Sequence, residues 1–145
     1  MNAKYAALIV MLAALGAGGG PDAKTDLGKF AGAWTVSELK YDGEVHKLKF
    51  KITFKGDVGI VEGNDEVQRE YARIKFKLDP ASSPKNMDIS VVGGSQTDSK
   101  MVGVYELKDD ELRLCVKVFG TDRPKEFAAP DGSSTVLLVL KRATP

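Results

Sequence analysis

Gly32-Ala33-Trp34 and the run Thr135-Val136-Leu137-Leu138-Val139-Leu140-Lys141-Arg142 are the two stretches that decide the fold. Trp34 is the only tryptophan in the chain of 145 residues. It follows a stretch, Thr25 to Ala31, with the pattern of a single helical turn, and it opens the first of about eight strand-like segments. The second stretch is apolar on both faces and forms the last of these segments. How the first and last strands meet therefore determines the architecture.

Alternation of apolar and polar residues is clearest between Leu48 and Lys55, where apolar side chains alternate with Lys and Thr. A period of two places one face of a strand in the core and the other in water. The same pattern recurs along the chain. The residues predicted to point inward are Leu48, Phe50, Ile52 and Phe54; Ala72, Ile74, Phe76 and Leu78; Met87, Ile89 and Val91; Met101, Gly103, Tyr105 and Leu107; Leu112, Leu114, Val116 and Val118; and Val136, Leu138 and Leu140.

The connections predict how these strands are arranged. Successive hairpins without a long helical crossover favour an antiparallel up-and-down meander, and an eight-stranded meander removes its edges by closing. We therefore predict an all-β, eight-stranded barrel in which the short helical turn plugs one end. In such a barrel the last strand ends where the first begins. This predicts contact between Trp34 and Arg142 beside Gly32, with the guanidinium lying over the indole.

The first twenty residues differ from the rest of the chain. Lys4 precedes the apolar run Ala6 to Leu15, and Gly16 to Gly20 are small, which is the pattern of a secretory signal peptide. The apolar run is about half the ~20 residues of a membrane span, although an uncleaved anchor is the alternative. We therefore predict a signal peptide over residues 1–20, a barrel domain over residues 21–145, and export to the periplasm or the exterior.

Charge and composition argue against several classes of function. Removal of residues 1–20 takes one lysine from 21 basic residues and leaves basic and acidic residues equal at 20 each. A balanced surface gives no reason to expect a nucleic-acid partner or stable membrane insertion. His46 is the only histidine and Cys115 the only cysteine, so a zinc site or a catalytic triad is not expected. We therefore predict no enzyme, no metal and no cofactor.

Cys115 shares its strand face with Arg113 and Lys117. This parity places the thiol on the outer wall of the barrel. A thiol on the outer wall should react with a maleimide in the folded protein, although a buried, inert thiol is the commoner case for an unpaired cysteine.

A one-turn helix, Gly-x-Trp at the first strand and Arg at the end of the eighth strand resemble the lipocalin pattern. A second set of motifs spans nearly the whole chain after residue 20: Gly32-Ala33-Trp34, Leu78-Asp79-Pro80, Met87-Asp88-Ile89, Gly103-Val104-Tyr105-Glu106-Leu107, Leu112-Arg113-Leu114-Cys115, Arg123-Pro124-Lys125-Glu126-Phe127 and Leu137-Leu138-Val139-Leu140-Lys141-Arg142. With these motifs the chain resembles more closely a family of uncharacterised lipocalin-like exported domains found in planctomycete bacteria. This resemblance implies a barrel and no established activity.

The remaining candidate site is the barrel interior near the end opposite Trp34. The loops predicted there cover residues 42–47, 63–69, 93–100 and 120–134, which are rich in Gly and polar residues. An eight-stranded barrel can be filled by its own side chains or can hold one small ligand, and the sequence leaves both open. The first hypothesis is a small apolar ligand, and the alternative is a filled module that contacts another exported protein. The candidate lining residues are Glu38, Leu48, Phe50, Val91, Met101, Tyr105 and Val118.

Overall fold

The computed structural model describes residues 21–143, so the predicted signal peptide lies outside the described residues. Within these residues, two helices and nine strands follow one another. They are α1 (Pro21–Phe30), β1 (Gly32–Tyr41), β2 (Glu44–His46), β3 (Phe50–Lys55), β4 (Val58–Glu62), α2 (Asp65–Glu70), β5 (Arg73–Asp79), β6 (Lys85–Gly93), β7 (Lys100–Lys108), β8 (Glu111–Lys117) and β9 (Thr135–Arg142).

The strands form a closed antiparallel barrel of the lipocalin-like kind. From β3 to β9 each strand pairs with the next, β1 pairs with β3, and β9 pairs back with β1. Among the described strands, the short strand β2 pairs only with the C-terminal part of β1, from Leu39 to Tyr41. Eight strands therefore close the barrel, and β2 lies outside the closed ring. The predicted fold class is confirmed.

Strand parity follows the sequence pattern closely. On β3 the side chains of Phe50, Ile52 and Phe54 are buried, whereas Lys51 and Lys55 are exposed. The same holds for β5, whose buried residues alternate with exposed ones along its whole length. The inward faces of the eight strands together build one hydrophobic core cluster.

A β-bulge in β1 changes the parity of that strand. Val36 lies opposite Leu140, but Leu39 lies opposite Leu138, so β1 has one residue more than β9 over this interval. Beyond the bulge Leu39 takes the inward position, and Glu38 is exposed. The prediction that Glu38 points inward is therefore wrong, because an extra residue shifts the register by one.

The two ends of the barrel are closed differently. The lower end carries the turns 56–57, 80–84 and 109–110, and α1 lies against it. Phe30, the last residue of α1, is buried with its ring 5.2–5.5 Å from those of Phe54, Phe76 and Tyr105. The predicted helical plug is confirmed, and it extends over ten residues rather than one turn.

The upper end carries the longer loops 42–49, 63–72, 94–99 and 118–134. One of them contains α2, although the sequence predicts a loop over residues 63–69. Asn64 caps this helix, since its side-chain oxygen accepts hydrogen bonds from the backbone amides of Glu66 and Val67, both at 3.1 Å. Asn64 followed by Asp65 and Glu66 is a helix-start signal that could have predicted it.

Residues 118–134 cover part of the outer wall. Cys115 has the predicted outward parity, but it is fully buried, and its Sγ donates to the carbonyl oxygen of Ala128 at 3.3 Å. Burial also raises the pKa of the Cys115 thiol. The prediction of an accessible thiol is therefore wrong, because a connection that carries no strand pattern lies over the strand.

Candidate functional site

One group of residues holds α1 against the barrel. The guanidinium carbon of Arg142 lies 4.3 Å from the centre of the Trp34 ring. Nη2 of Arg142 donates to the carbonyl oxygen of Lys29 at 2.9 Å, and Nη1 of Arg142 donates to the carbonyl oxygen of Ala31 at 3.1 Å. Trp34 Nε1 donates to the carbonyl oxygen of Phe30 at 2.7 Å. The predicted contact is confirmed, and it also satisfies carbonyl groups at the end of a helix that have no partner within it.

Gly32 makes this arrangement possible because the chain turns sharply from α1 into β1. Its φ of +113° lies in a region that residues with a Cβ rarely adopt. Gly32, Trp34 and Arg142 therefore form a structural anchor.

A buried carboxylate fixes the middle of α1. Asp26 is buried, and its Oδ2 accepts hydrogen bonds from the Tyr105 hydroxyl at 2.7 Å and from Lys85 Nζ at 3.1 Å. Burial, together with the bond to Asp26, raises the pKa of Tyr105 above its ordinary value. Tyr105 was a candidate for ligand contact, but its hydroxyl is occupied by the helical plug.

Side chains fill the lower half of the barrel. Four aromatic rings from α1, β3, β5 and β7 contact one another there, and the anchor closes the end. Neighbouring inward residues are buried to 2% exposure or less: Trp34, Val36, Leu78, Met87, Leu112 and Leu140. Any interior ligand site must therefore lie in the upper half.

The upper half contains the other five candidate residues. Phe50, Val91 and Met101 are buried in the core cluster, whereas Leu48 and Val118 pack against it and are half-buried. Val67 of α2 and Tyr71, the C-terminal cap of that helix, also pack onto this cluster. The structure therefore brings these candidates to one end of the barrel, and Glu38 is the exception.

Several inward apolar side chains at this end remain half-exposed. Leu39 lies opposite Leu138 across β1 and β9, and Val136 lies opposite Val116, an inward residue of β8. We call Leu39, Leu48, Val118, Val136 and Leu138 the apolar mouth. Leu39 was missed because the bulge that turns it inward has no signal in the sequence.

A separate open cleft of about 700 Å³ lies along β5, β6 and β7. One part of it is bounded by α1 and another by Arg123, which belongs to the covering connection. Several of its residues are lysines on the outer faces of the strands. Its lining is Ala23, Leu27, Asp57, Lys75, Phe76, Lys77, Leu78, Asp88, Ile89, Ser90, Lys100, Met101, Val102 and Arg123.

Residues 21–143 include no group of three or more His, Cys, Asp or Glu side chains placed to hold a metal ion. Among the same residues, neither helix has the length and apolar character needed to cross a membrane. His46 is half-buried, with its Nε2 3.9 Å from a carboxylate oxygen of Glu44.

Comparison with protein-family models, curated proteins and solved structures found no match to this chain.

Proposed function

We propose that this chain is an exported, non-catalytic, lipocalin-like domain that binds a small apolar molecule at the apolar mouth. One observation carries the proposal: inward apolar side chains of β1, β9, the loop before β3 and the start of the connection after β8 are half-exposed. In the lower half, by contrast, the inward apolar side chains of the strands are fully buried apart from Leu107. The proposal includes export directed by residues 1–20 and membership of the planctomycete lipocalin-like family that the sequence resembles.

The physical reason for binding is burial of apolar surface. Covering half-exposed apolar side chains gains about 25 cal/mol for each Å² removed from water. The packed lower half supplies a rigid floor, so little conformational entropy has to be lost when a ligand binds. Phe50, Val91 and Met101 form the buried tier beneath the mouth. A ligand of a few apolar carbons would rest on this tier and cover the mouth residues.

A second candidate function is protein recognition at the same end. Phe119 follows β8 and is 67% exposed, and Val45 and Val92, also near the upper end, are 50% and 44% exposed. Exposed aromatic side chains contribute strongly to protein interfaces when a partner buries them. A pull-down from envelope extract with Phe119→Ser as the comparison tests this candidate, which requires a partner that wild-type protein retains and the variant loses.

A matched pair of valine variants tests ligand binding. Val118 faces inward at the mouth, whereas Val92 lies on an exposed position of β6 at the same end. Binding of a neutral naphthylamine dye is followed by fluorescence in Val118→Asp and in Val92→Asp. We expect Val118→Asp to weaken binding about tenfold or more, because a carboxylate at the mouth must be desolvated, and Val92→Asp to have little effect.

Thermal unfolding of both variants checks that the barrel remains folded, and Val118→Thr provides a milder change at the same position. Equal loss of dye binding in Val118→Asp and Val92→Asp, or no dye binding by the wild type, contradicts the proposal. Export is tested separately, by the mass and the cell fraction of the full-length chain after expression in a bacterial host.

A further inference from the structure

We propose a second binding site, independent of the apolar mouth, in the open cleft on the outer wall. The geometry points to a small phosphate-bearing anion held by Lys75, Ser90 and Lys100, with Lys77 beside them. We call these four residues the lysine cleft. The proposal rests on three observations. They are the register of three adjacent strands, the ion pairs that the nearby charges already make, and the room that the cleft offers.

The register places two lysines on either side of one hydroxyl. Lys75 of β5 lies opposite Ser90 of β6, and Ser90 lies opposite Lys100 of β7. Neighbouring strands are about 4.8 Å apart, so the two lysines begin roughly 10 Å from each other with the serine between them. Lys77 is two residues from Lys75 and therefore projects from the same face.

The donors of the lysine cleft are largely unused. The ammonium groups of Lys77 and Lys100 and the hydroxyl of Ser90 have no hydrogen bond or ion pair with any of residues 21–143. Lys75 has one ion pair, with Asp57 at 3.9 Å, and both side chains are at least half-exposed. Such a pair contributes little, about 0–1 kcal/mol in typical proteins, so it does not keep Lys75 from an incoming anion.

The nearest carboxylate on these strands is already neutralised. Asp88 lies opposite Lys77, but its Oδ1 accepts a hydrogen bond from Nη2 of Arg123 at 2.6 Å. Arg123 is fixed in turn, since its Nη1 donates to the carbonyl oxygen of Gly103 at 2.9 Å. The lysine cleft therefore has more positive than negative charge, although the chain as a whole is nearly neutral.

Phosphate fits this set of groups better than a single carboxylate. A phosphate monoester or diphosphate has several acceptor oxygens and roughly two to three negative charges near neutral pH, which match flexible ammonium groups and one hydroxyl donor. A volume of about 700 Å³ falls within the range of small-molecule sites, so an attached organic group has room. Leu27 of α1, which is half-buried, offers that group an apolar surface.

The test measures binding of inorganic pyrophosphate by NMR titration of the folded protein at low salt. The first variant is the double change Lys75→Gln and Lys100→Gln. The matched control is Lys49→Gln with Lys51→Gln, two exposed lysines outside the cleft that remove the same total charge. A parallel arm uses vesicles that contain phosphatidylglycerol, which distinguishes a soluble phosphate from a lipid headgroup.

We expect amide shifts on β5, β6 and β7, a loss of pyrophosphate affinity of about tenfold in the cleft variant, and less than about twofold in the control. Ser90→Ala should weaken binding by a smaller factor without a change of charge. An equal loss in both double variants means nonspecific attraction and overturns the proposal. Absence of pyrophosphate binding by the wild type, or binding to vesicles alone, also overturns it.

Discussion

Replacing Arg142 with alanine removes the side chain that joins the last strand to the end of α1. Two of its nitrogens donate to the carbonyl oxygens of Lys29 and Ala31, and the guanidinium lies over Trp34. Partly exposed charge-assisted hydrogen bonds contribute about 1 kcal/mol each, and the cation–π contact about 0.5–1 kcal/mol. The ion pair with Asp110 adds little, because that carboxylate is 82% exposed. We expect a loss of about 2–3 kcal/mol in the free energy of unfolding.

The assay is urea unfolding followed by far-ultraviolet circular dichroism, since variants of Trp34 lack the only tryptophan. Trp34→Ala should cost about 3–5 kcal/mol, as truncation of a buried aromatic side chain does. Because Arg142 and Trp34 contact each other, the double variant should be less destabilised than the sum of the single variants, by about 1 kcal/mol. Arg142→Lys retains the charge but not the planar fork, so it should restore less than half of the loss.

Hydrogen exchange separates this account from a general weakening of the barrel. In Arg142→Ala the amides at the C-terminal end of α1 should exchange faster, while those of β6 and β7 should keep their relative protection. If the losses of the two single variants sum to the loss of the double variant within about 0.3 kcal/mol, the reasoning is refuted, because the two side chains then do not interact in solution.

Three further predictions concern other parts of the barrel. Cys115 should react slowly with a maleimide until the protein unfolds, and Ala129→Glu, which places a charge under the covering connection, should speed the reaction without melting the barrel. The pKa of Tyr105 is raised in the folded state, so its contribution to stability is complete below about pH 10 and is lost as the pH rises above that value. Tyr105→Phe should reduce this loss of stability at alkaline pH, as measured by urea unfolding at each pH. Gly59→Ala should cost about 1–3 kcal/mol in thermal unfolding, because its Cβ would lie 3.0 Å from the ring of Phe54.

The closed barrel could be predicted because its signals are local or topological. The alternation around Phe50 and Ile52 needs only the strand period, and each hairpin needs only a short turn. The pairing of Trp34 with Arg142 follows from an even number of antiparallel strands, whatever their side chains. The prediction succeeded there because a topological argument does not depend on exact strand boundaries.

The features that failed depend on contacts between distant parts of the chain. The bulge between Val36 and Leu39 reverses parity in the upper part of β1, and no residue type in Ser37-Glu38 indicates it. Cys115 has the predicted orientation, yet residues 118–134 bury it from outside. A strand pattern shows which face is inward, but it does not show whether the outward face meets water or another segment of the chain.

The lower half of the barrel interior is filled by side chains, and this limits the affinity that we expect for a ligand at the apolar mouth. The rings around Phe30 fill the lower half, and Phe50, Val91 and Met101 are buried immediately below the mouth. A ligand at the mouth would therefore rest on a shallow floor and keep part of its own surface in water. Incomplete burial limits the apolar gain that must offset the entropy lost on association. We accordingly expect dissociation constants for small apolar ligands of about 1–100 µM, and a nanomolar ligand would require residues 42–49 or 118–134 to close over it.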